Sequence, residues 1–244
     1  MKTEPTGQWT EVSGEAAAGR AQASATGSPW SVRAARSEDA EAIADILVEA
    51  FPGLYRWMFG PLRDEELAWL LTELYRAGLV ALRTTRVCER GGRVVGAMVL
   101  RVGEPLAQGS IGAYWRLLCH QLGLLRALRA FVSSILAYKY LERRTPQAAD
   151  LVYIEALAVA AAERGRGAGT KLLEDAARWA LEQGRTRLAL HVLLSNTDAR
   201  RLYERMGFRP LQDGLRPRWA RLFARRPPRW AGLLMTRPAA GISS

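Results

Sequence analysis

Between residues 151 and 183 a continuous apolar run meets a glycine-laced bend, and a helical pattern follows at once. Few folds accommodate that arrangement. The run Leu151–Val159 is interrupted only by Glu155, as in a buried strand. It leads through Ala160-Ala-Ala-Glu163 into Arg164-Gly165-Arg166-Gly167-Ala168-Gly169-Thr170. Gly165, Gly167 and Gly169 have no Cβ, so the backbone there can approach a ligand closely. A helix is predicted over residues 167–183, closed by a turn at Gly184. Its first amides have no intrahelical acceptor and carry about half a positive charge from the aligned peptide dipoles, which favours a phosphate. The alternative is an ordinary strand-to-helix turn in which the glycines serve packing.

Two common phosphate motifs fit poorly. A Walker loop needs Gly-Lys-Ser/Thr, and Gly169-Thr170-Lys171 breaks that order. The dinucleotide fingerprint wants glycine or alanine where Thr170 stands, and a βαβ unit near the start of a parallel sheet.

The rest of the chain supplies context. Residues 1–29 lack periodicity and are expected to be a disordered tail. A strand is predicted over 30–36. Ser37 then reads as an N-cap with Glu38 and Asp39 in the first turn, opening a helix that ends at Pro52-Gly53. Leu67, Leu70, Leu71 and Leu74 mark a second helix over 64–77. Strands are predicted over 83–90 and 93–102, joined by Gly91-Gly92 as a hairpin. Residues 103–150 hold one or two amphipathic helices, rich in leucine with arginine on the polar side. Beyond the 167–183 helix come a strand over 187–193, a helix over 197–206 stopped by Gly207, a basic region and a last strand over 230–236. The order is β-α-α-β-β, an insertion, then β-α-β-α-β-β, an α/β fold with a mixed sheet.

Composition excludes several classes. Two cysteines, Cys88 and Cys119, are too few for a disulfide framework or a thiolate metal site. No early segment resembles a signal peptide. The most apolar stretch, 111–140, is cut by Arg116, His120, Gln121, Arg126 and Arg129, so no membrane span is expected. The expected location is the cytoplasm. The net charge of +11 is carried mostly by arginine; it permits a polyanionic partner, but a coding bias explains it as well. No nucleic-acid-binding signature is present, and no nucleic-acid partner is expected. His191 and His120 lack the neighbours that zinc ligands require, so no metal is expected. His191, alone in an apolar strand, reads as a hydrogen-bonded core residue, and Cys119 as a small buried hydrophobe. There is no Gly-x-Ser-x-Gly elbow for a hydrolase triad.

Arg164-Gly165-Arg166-Gly167-Ala168-Gly169 resembles the Arg/Gln-x-x-Gly-x-Gly/Ala signature of the GNAT N-acetyltransferases. Leu157-Ala158-Val159 stands where that family's fourth strand precedes it. A second motif, Asn196 to Ala199 followed by Tyr203, Gly207 and Phe208, is similar to the family's Asn-x-x-Ala-x-x-x-Tyr-x-x-x-Gly-Phe. The resemblance covers residues 30–238, with 239–244 a further tail, and is strongest over 151–209. Ala160-Ala161 departs from it, since relatives often carry Asp/His-Pro there. The insertion over 103–150, before the fourth strand, is also longer than in compact members.

The resemblance implies a GNAT fold: a central mixed twisted sheet flanked by helices, its fourth and fifth strands splayed around acetyl-CoA. Leu157, Ala158 and Val159 would then line the pantetheine arm. The amides from Arg164 to Thr170 would hold the pyrophosphate, with Arg164 and Arg166 adding charge or merely lying solvated. Asn196 would bond the arm, cap the next helix, or both. Tyr203 would protonate the leaving thiolate and also contact the cofactor, unless it is a core tyrosine. Glu155 is the candidate general base, because an amine is mostly protonated at neutral pH; the bland alternative turns it toward solvent or an arginine. Tyr55, Trp57, Phe59, Tyr114 and Trp115 are candidates for an aromatic wall over the acceptor, or else the helices that carry them cover the sheet or form a dimer contact. The implied activity is acetyl transfer to an amine, of a small molecule, in a ternary complex. Two rivals stand beside it: a non-catalytic acyl-CoA-binding regulatory domain, and a polyanion binder using the Arg/Trp-rich residues 216–229. A homodimer is compatible with either.

Overall fold

Charge and proline position decide how the first helices begin. The computed structural model describes residues 30–80, 82–103, 110–144, 148–211 and 232–240. After strand β1 (Trp30–Ala34), Ser37 does not cap the helix as expected; a 3-10 turn, Ser37–Asp39, comes first. Asp39 holds the N-cap position, and its side chain reaches back instead of capping the helix. Its carboxylate accepts the Arg36 amide at 2.7 Å and holds the Arg33 guanidinium at 2.6 and 2.9 Å. Helix α1 (Ala40–Ala50) stops at Pro52-Gly53 as expected, but a further short helix, α2 (Pro52–Phe59), starts there, since proline's fixed φ suits a first helical position. Helix α3 (Asp64–Arg76) buries Leu67, Leu70, Leu71 and Leu74.

The strands follow closely. β2 (Thr85–Arg90) and β3 (Arg93–Arg101) are joined through Gly91 and Gly92, both at positive φ as a two-residue hairpin requires. Two helices, α4 (Ile111–Leu122) and α5 (Leu124–Arg144), fold back on each other at Gly123. Then come β4 (Leu151–Val159), α6 (Ala168–Glu182), β5 (Arg187–Leu193), α7 (Thr197–Arg205), the two-residue β6 (Arg209–Pro210) and β7 (Gly232–Pro238). The expected tail 1–29, the Arg/Trp-rich 216–229 and the end of the second tail, 241–244, lie outside the described residues.

Among the described residues the strands form one sheet in the order β1-β2-β3-β4-β5-β7-β6, with β4–β5 the parallel pair in an otherwise antiparallel ladder. One face carries α6, whose Leu172, Leu173, Ala176 and Ala180 pack on Met98, Leu100, Ile154 and Leu190. The other carries α1 and α3 over Val87, Ala97 and Ala158, with α2, α4 and α5 joining that core. Asp175 of α6, only 2% exposed, takes both ends of the Arg86 guanidinium at 2.6 and 3.0 Å and so ties α6 to β2.

Two register details open the sheet. β4 pairs with β5 only over Leu151 to Ile154, opposite Arg187 to Leu190; beyond that β4 stays with β3 and β5 stays with β7. On the β3 side Val99 opposes Ala156 and Leu100 opposes Ile154, which leaves Glu155 as an extra, unpaired residue. Such a bulge bends its strand and sharpens the twist. The parallel pair therefore parts at Glu155.

Candidate active site

The gap is lined by backbone that has lost its partner strand. Ala160 donates to Val95 O at 2.9 Å. Because bonding alternates along an antiparallel strand, Ala158 and Ala156 also turn toward β3, and Leu157 and Val159 turn their amide and carbonyl groups toward the gap. Of the three residues expected to line a pantetheine arm, Leu157 and Val159 thus turn their backbone to the gap. Ala158 faces away, its side chain buried on the α1–α3 side.

The bend after β4 uses its glycines in two ways. Gly165 (φ 73°) and Gly167 (φ 106°) hold left-handed conformations that a side chain would strain. Gly169 is different: a Cβ there would sit 3.1 Å from Leu202 Cδ2, so its smallness lets α7 close onto the start of α6. Backbone conformation thus accounts for glycine at Gly165 and Gly167, and packing for glycine at Gly169. The first amide of α6 to find a backbone acceptor is Lys171, which reaches Gly167 O at 3.0 Å. The amides of Ala168, Gly169 and Thr170 stand ahead of it, next to the exposed turn of Gly165 to Gly167. A gap edged by strand backbone without a partner strand, leading to amides at a helix start, suits an amide-bearing arm that ends in a diphosphate.

The two arginines of the bend are turned to the protein. Arg164 donates from Nε to Val159 O at 2.9 Å and reaches Glu49 at 3.3 Å, while its own amide bonds Ala161 O. Glu49 also accepts the Ala161 amide at 3.0 Å, so it anchors the loop to α1. Arg166 lies 3.8 Å from Glu163, exposed.

Glu155, the bulged residue, is largely buried and forms a 2.8 Å ion pair with Arg101, itself buried. Burial pushes its carboxyl up to about 7, against the opposing pull of Arg101. Tyr55 of α2 and Tyr75 of α3 lie within its electrostatic reach, and their hydroxyls are pushed upward mainly by burial. Arg101 also stacks over the Tyr153 ring at 5.4 Å, and Tyr153 Oη meets His191 Nδ1 at 2.9 Å. His191 is thus a hydrogen-bonded residue of β5, as expected, placed one position beyond the last β4–β5 pair. A chain of polar groups, Glu155–Arg101–Tyr153–His191, runs across the point where the strands part. Sequence reading missed Arg101, Tyr153 and Glu49. They come from separate elements, and nothing short of the sheet register brings them together.

Tyr203 is buried on α7, edge-on to Phe208 at 5.8 Å, and its hydroxyl has no hydrogen-bond partner among the described residues. Burial raises it to about 12. The neighbouring Leu202 rests on Gly169, which brings α7 to the glycine-laced turn. Asn196 caps α7 by accepting the Ala199 amide at 3.1 Å. The aromatic candidates for an acceptor wall mostly pack helices together. Tyr55 stacks on Phe59, Trp115 is edge-on to Phe131 at 5.3 Å, and Tyr114 bonds Ser134 at 2.7 Å, whereas Trp57 is exposed. Among the described residues no group of His, Cys, Asp and Glu could hold a metal.

The chain matches the family model described as the acetyltransferase (GNAT) family over residues 40–208. No curated protein matches it. Among solved structures it is similar to an N-acetyltransferase from Staphylococcus aureus Mu50, 20% identical with a TM-score of 0.53, over 84% of this chain and 98% of that one. A GCN5-related N-acetyltransferase from Kribbella flavida is 22% identical with a TM-score of 0.51, over 86% and 98%. A structure described as histone acetyltransferase HPA2 and related acetyltransferase, from Corynebacterium glutamicum, is 23% identical with a TM-score of 0.52, over 88% and 99%. At such identities the likeness is one of fold.

Proposed function

Since the chain belongs to the GNAT acetyltransferase family, whose members transfer an acetyl group from acetyl-CoA, we propose that it acetylates an amine of a small molecule, directly and within a ternary complex. The observation that carries this reading is the parting of β4 from β5 at Glu155, with unpaired strand backbone on one side and the open amides of α6 at its end. Acetyl-CoA supplies an activated thioester; the new carbon–nitrogen bond forms as the carbon–sulfur bond breaks.

The chain's own groups divide the work. Leu157 and Val159 pair with the amides of the pantetheine arm. The amides from Gly165 to Thr170 hold the diphosphate, while Arg164 closes the loop onto Val159 and Glu49. Asn196 caps α7 and so sets the position of Tyr203. The Tyr203 hydroxyl, buried and with its proton firmly held, gives that proton to the departing thiolate. Glu155 takes the amine's proton, directly or through water; a carboxyl near 7 is matched to that task at neutral pH. The acceptor approaches from the α2–α3 side, where Tyr55 and Tyr75 flank Glu155 and α4–α5 pack over α2 and α3. That cover favours a small amine over a protein tail, and the cytoplasm is the natural setting for such a reaction.

The test is release of free thiol from acetyl-CoA across a panel of small amines, with the product identified by mass spectrometry. Thiol release that depends on one class of amine supports the reading. Binding of acetyl-CoA without release by any amine would favour the non-catalytic regulator, and absence of binding would remove both.

A further inference from the structure

The inner face of helix α5 carries mostly small residues, while most of its aliphatic ones lie outside. Ala127, Ala130, Ser134 and Ala137 are buried, and Phe131 packs on Tyr114 and Trp115 of α4. Leu124, Leu125, Leu128, Val132, Ile135 and Leu136 face outward, with Leu125 exposed to 84%, Leu128 to 52%, Val132 to 47% and Leu136 to 56%. At 100° per residue these six span one stripe of the helix, the pattern of a face that meets an apolar partner. The stripe plays no part in the acetyl-transfer site.

Charge decides which partner. From residue 105 to 141 there is no Asp or Glu, while Arg116, Arg126, Arg129 and Lys139 are all exposed. None of these four forms an ion pair among the described residues, although Arg126 acts through space on Glu66 of α3. A second copy placed on this face would set mainly positive charge against positive charge, with Glu142 the one acid in the sequence of the two helices. An anionic lipid surface offers the reverse: phosphate headgroups for the arginines and an acyl boundary for the leucines. No described helix is long and apolar enough to cross a membrane, and Arg126 and Arg129 interrupt this one, so its fit is to lie in the interface.

We infer that the α4–α5 hairpin docks on an anionic membrane surface through the outward stripe of α5, with the basic residues of the hairpin on the headgroups. Docking there is independent of acetyl transfer, and its test does not require activity. The full chain is sedimented with phosphatidylcholine vesicles prepared with and without phosphatidylglycerol. Binding is expected with the anionic vesicles, and it should weaken as salt is raised. Leu128→Asp with Val132→Asp, both at exposed positions, is expected to lower the partition coefficient at least about tenfold. The milder pair Leu125→Gln and Leu136→Gln should act in the same direction, with circular dichroism unchanged in both variants. Three results would overturn the inference: no binding of the unaltered chain, variants that bind as well as it does, or a dimer in sedimentation velocity that these substitutions break.

Discussion

Glu155 is buried enough to resist ionisation and lies close enough to Arg101 to be partly rescued from that resistance. As a base it must be ionised, so kcat/KM is expected to fall below pH of about 7, the value to which burial brings it. Glu155→Gln should remove that acidic limb and reduce the rate by on the order of a hundredfold. Arg101→Gln takes away the charge that opposes burial, so the limb should move to higher pH. A limb unchanged in both variants would assign Glu155 a structural role. Stability carries the same signature. The native state holds a proton that the unfolded chain releases near pH 4.3, so this group's contribution declines as pH rises from about 4.3 to 7. Tyr203 is tested apart from Glu155. Its ring is buried and its hydroxyl bonds nothing among the described residues, so Tyr203→Phe should leave the packing on Phe208 intact and keep the KM for acetyl-CoA. Turnover should drop at least about tenfold, as expected for a lost general acid.

At the scale of elements the strand–bend–helix unit depends on how firmly α6 is held. The helix is bound to the sheet by leucines and alanines on one face and by the Asp175–Arg86 pair within it. Removing one partner of a buried pair leaves the other charge uncompensated. Asp175→Ala is therefore expected to cost about 3 kcal/mol, seen as a fall in Tm on the order of 10 °C. This variant tests the frame rather than the chemistry, since no acceptor or cofactor contact involves Asp175. The bounds of β4 and β5 are those read from their apolar runs, because a strand buried on both faces leaves a continuous signature. The start of α1 differs from the expected cap, because Asp39 gains more from Arg33 and the Arg36 amide than Ser37 offers. Helix α2 leaves no signal of its own, because Pro52-Gly53 reads as a stop, and proline both ends one helix and begins another.

For the whole molecule, the gap between β4 and β5 is a fixed absence of pairing in the middle of the sheet, held open from both sides by β3 and β7. A ligand that fills it adds contacts to the native state alone. Acetyl-CoA at roughly a hundred times its dissociation constant should stabilise the fold by about 2.7 kcal/mol, raising Tm by on the order of 5–10 °C. A thermal shift assay reads this, and a flat response would argue against the gap as the cofactor site.

The glycine-laced turn, the two motifs and the order of elements apart from α2 were determined by the sequence alone, because each is a local pattern of glycine, apolar run and helix start. The family followed from them. Tertiary structure alone decided that Glu155 is the bulged residue, that Arg101, Tyr153 and His191 join it, and that Arg164 turns back to Glu49. It also decided that α5 faces outward with its leucines, where periodicity shows only that one face is apolar. The reason is common to all of these: a side chain's partner is set by strand register and helix rotation, and those depend on packing between elements far apart in the chain.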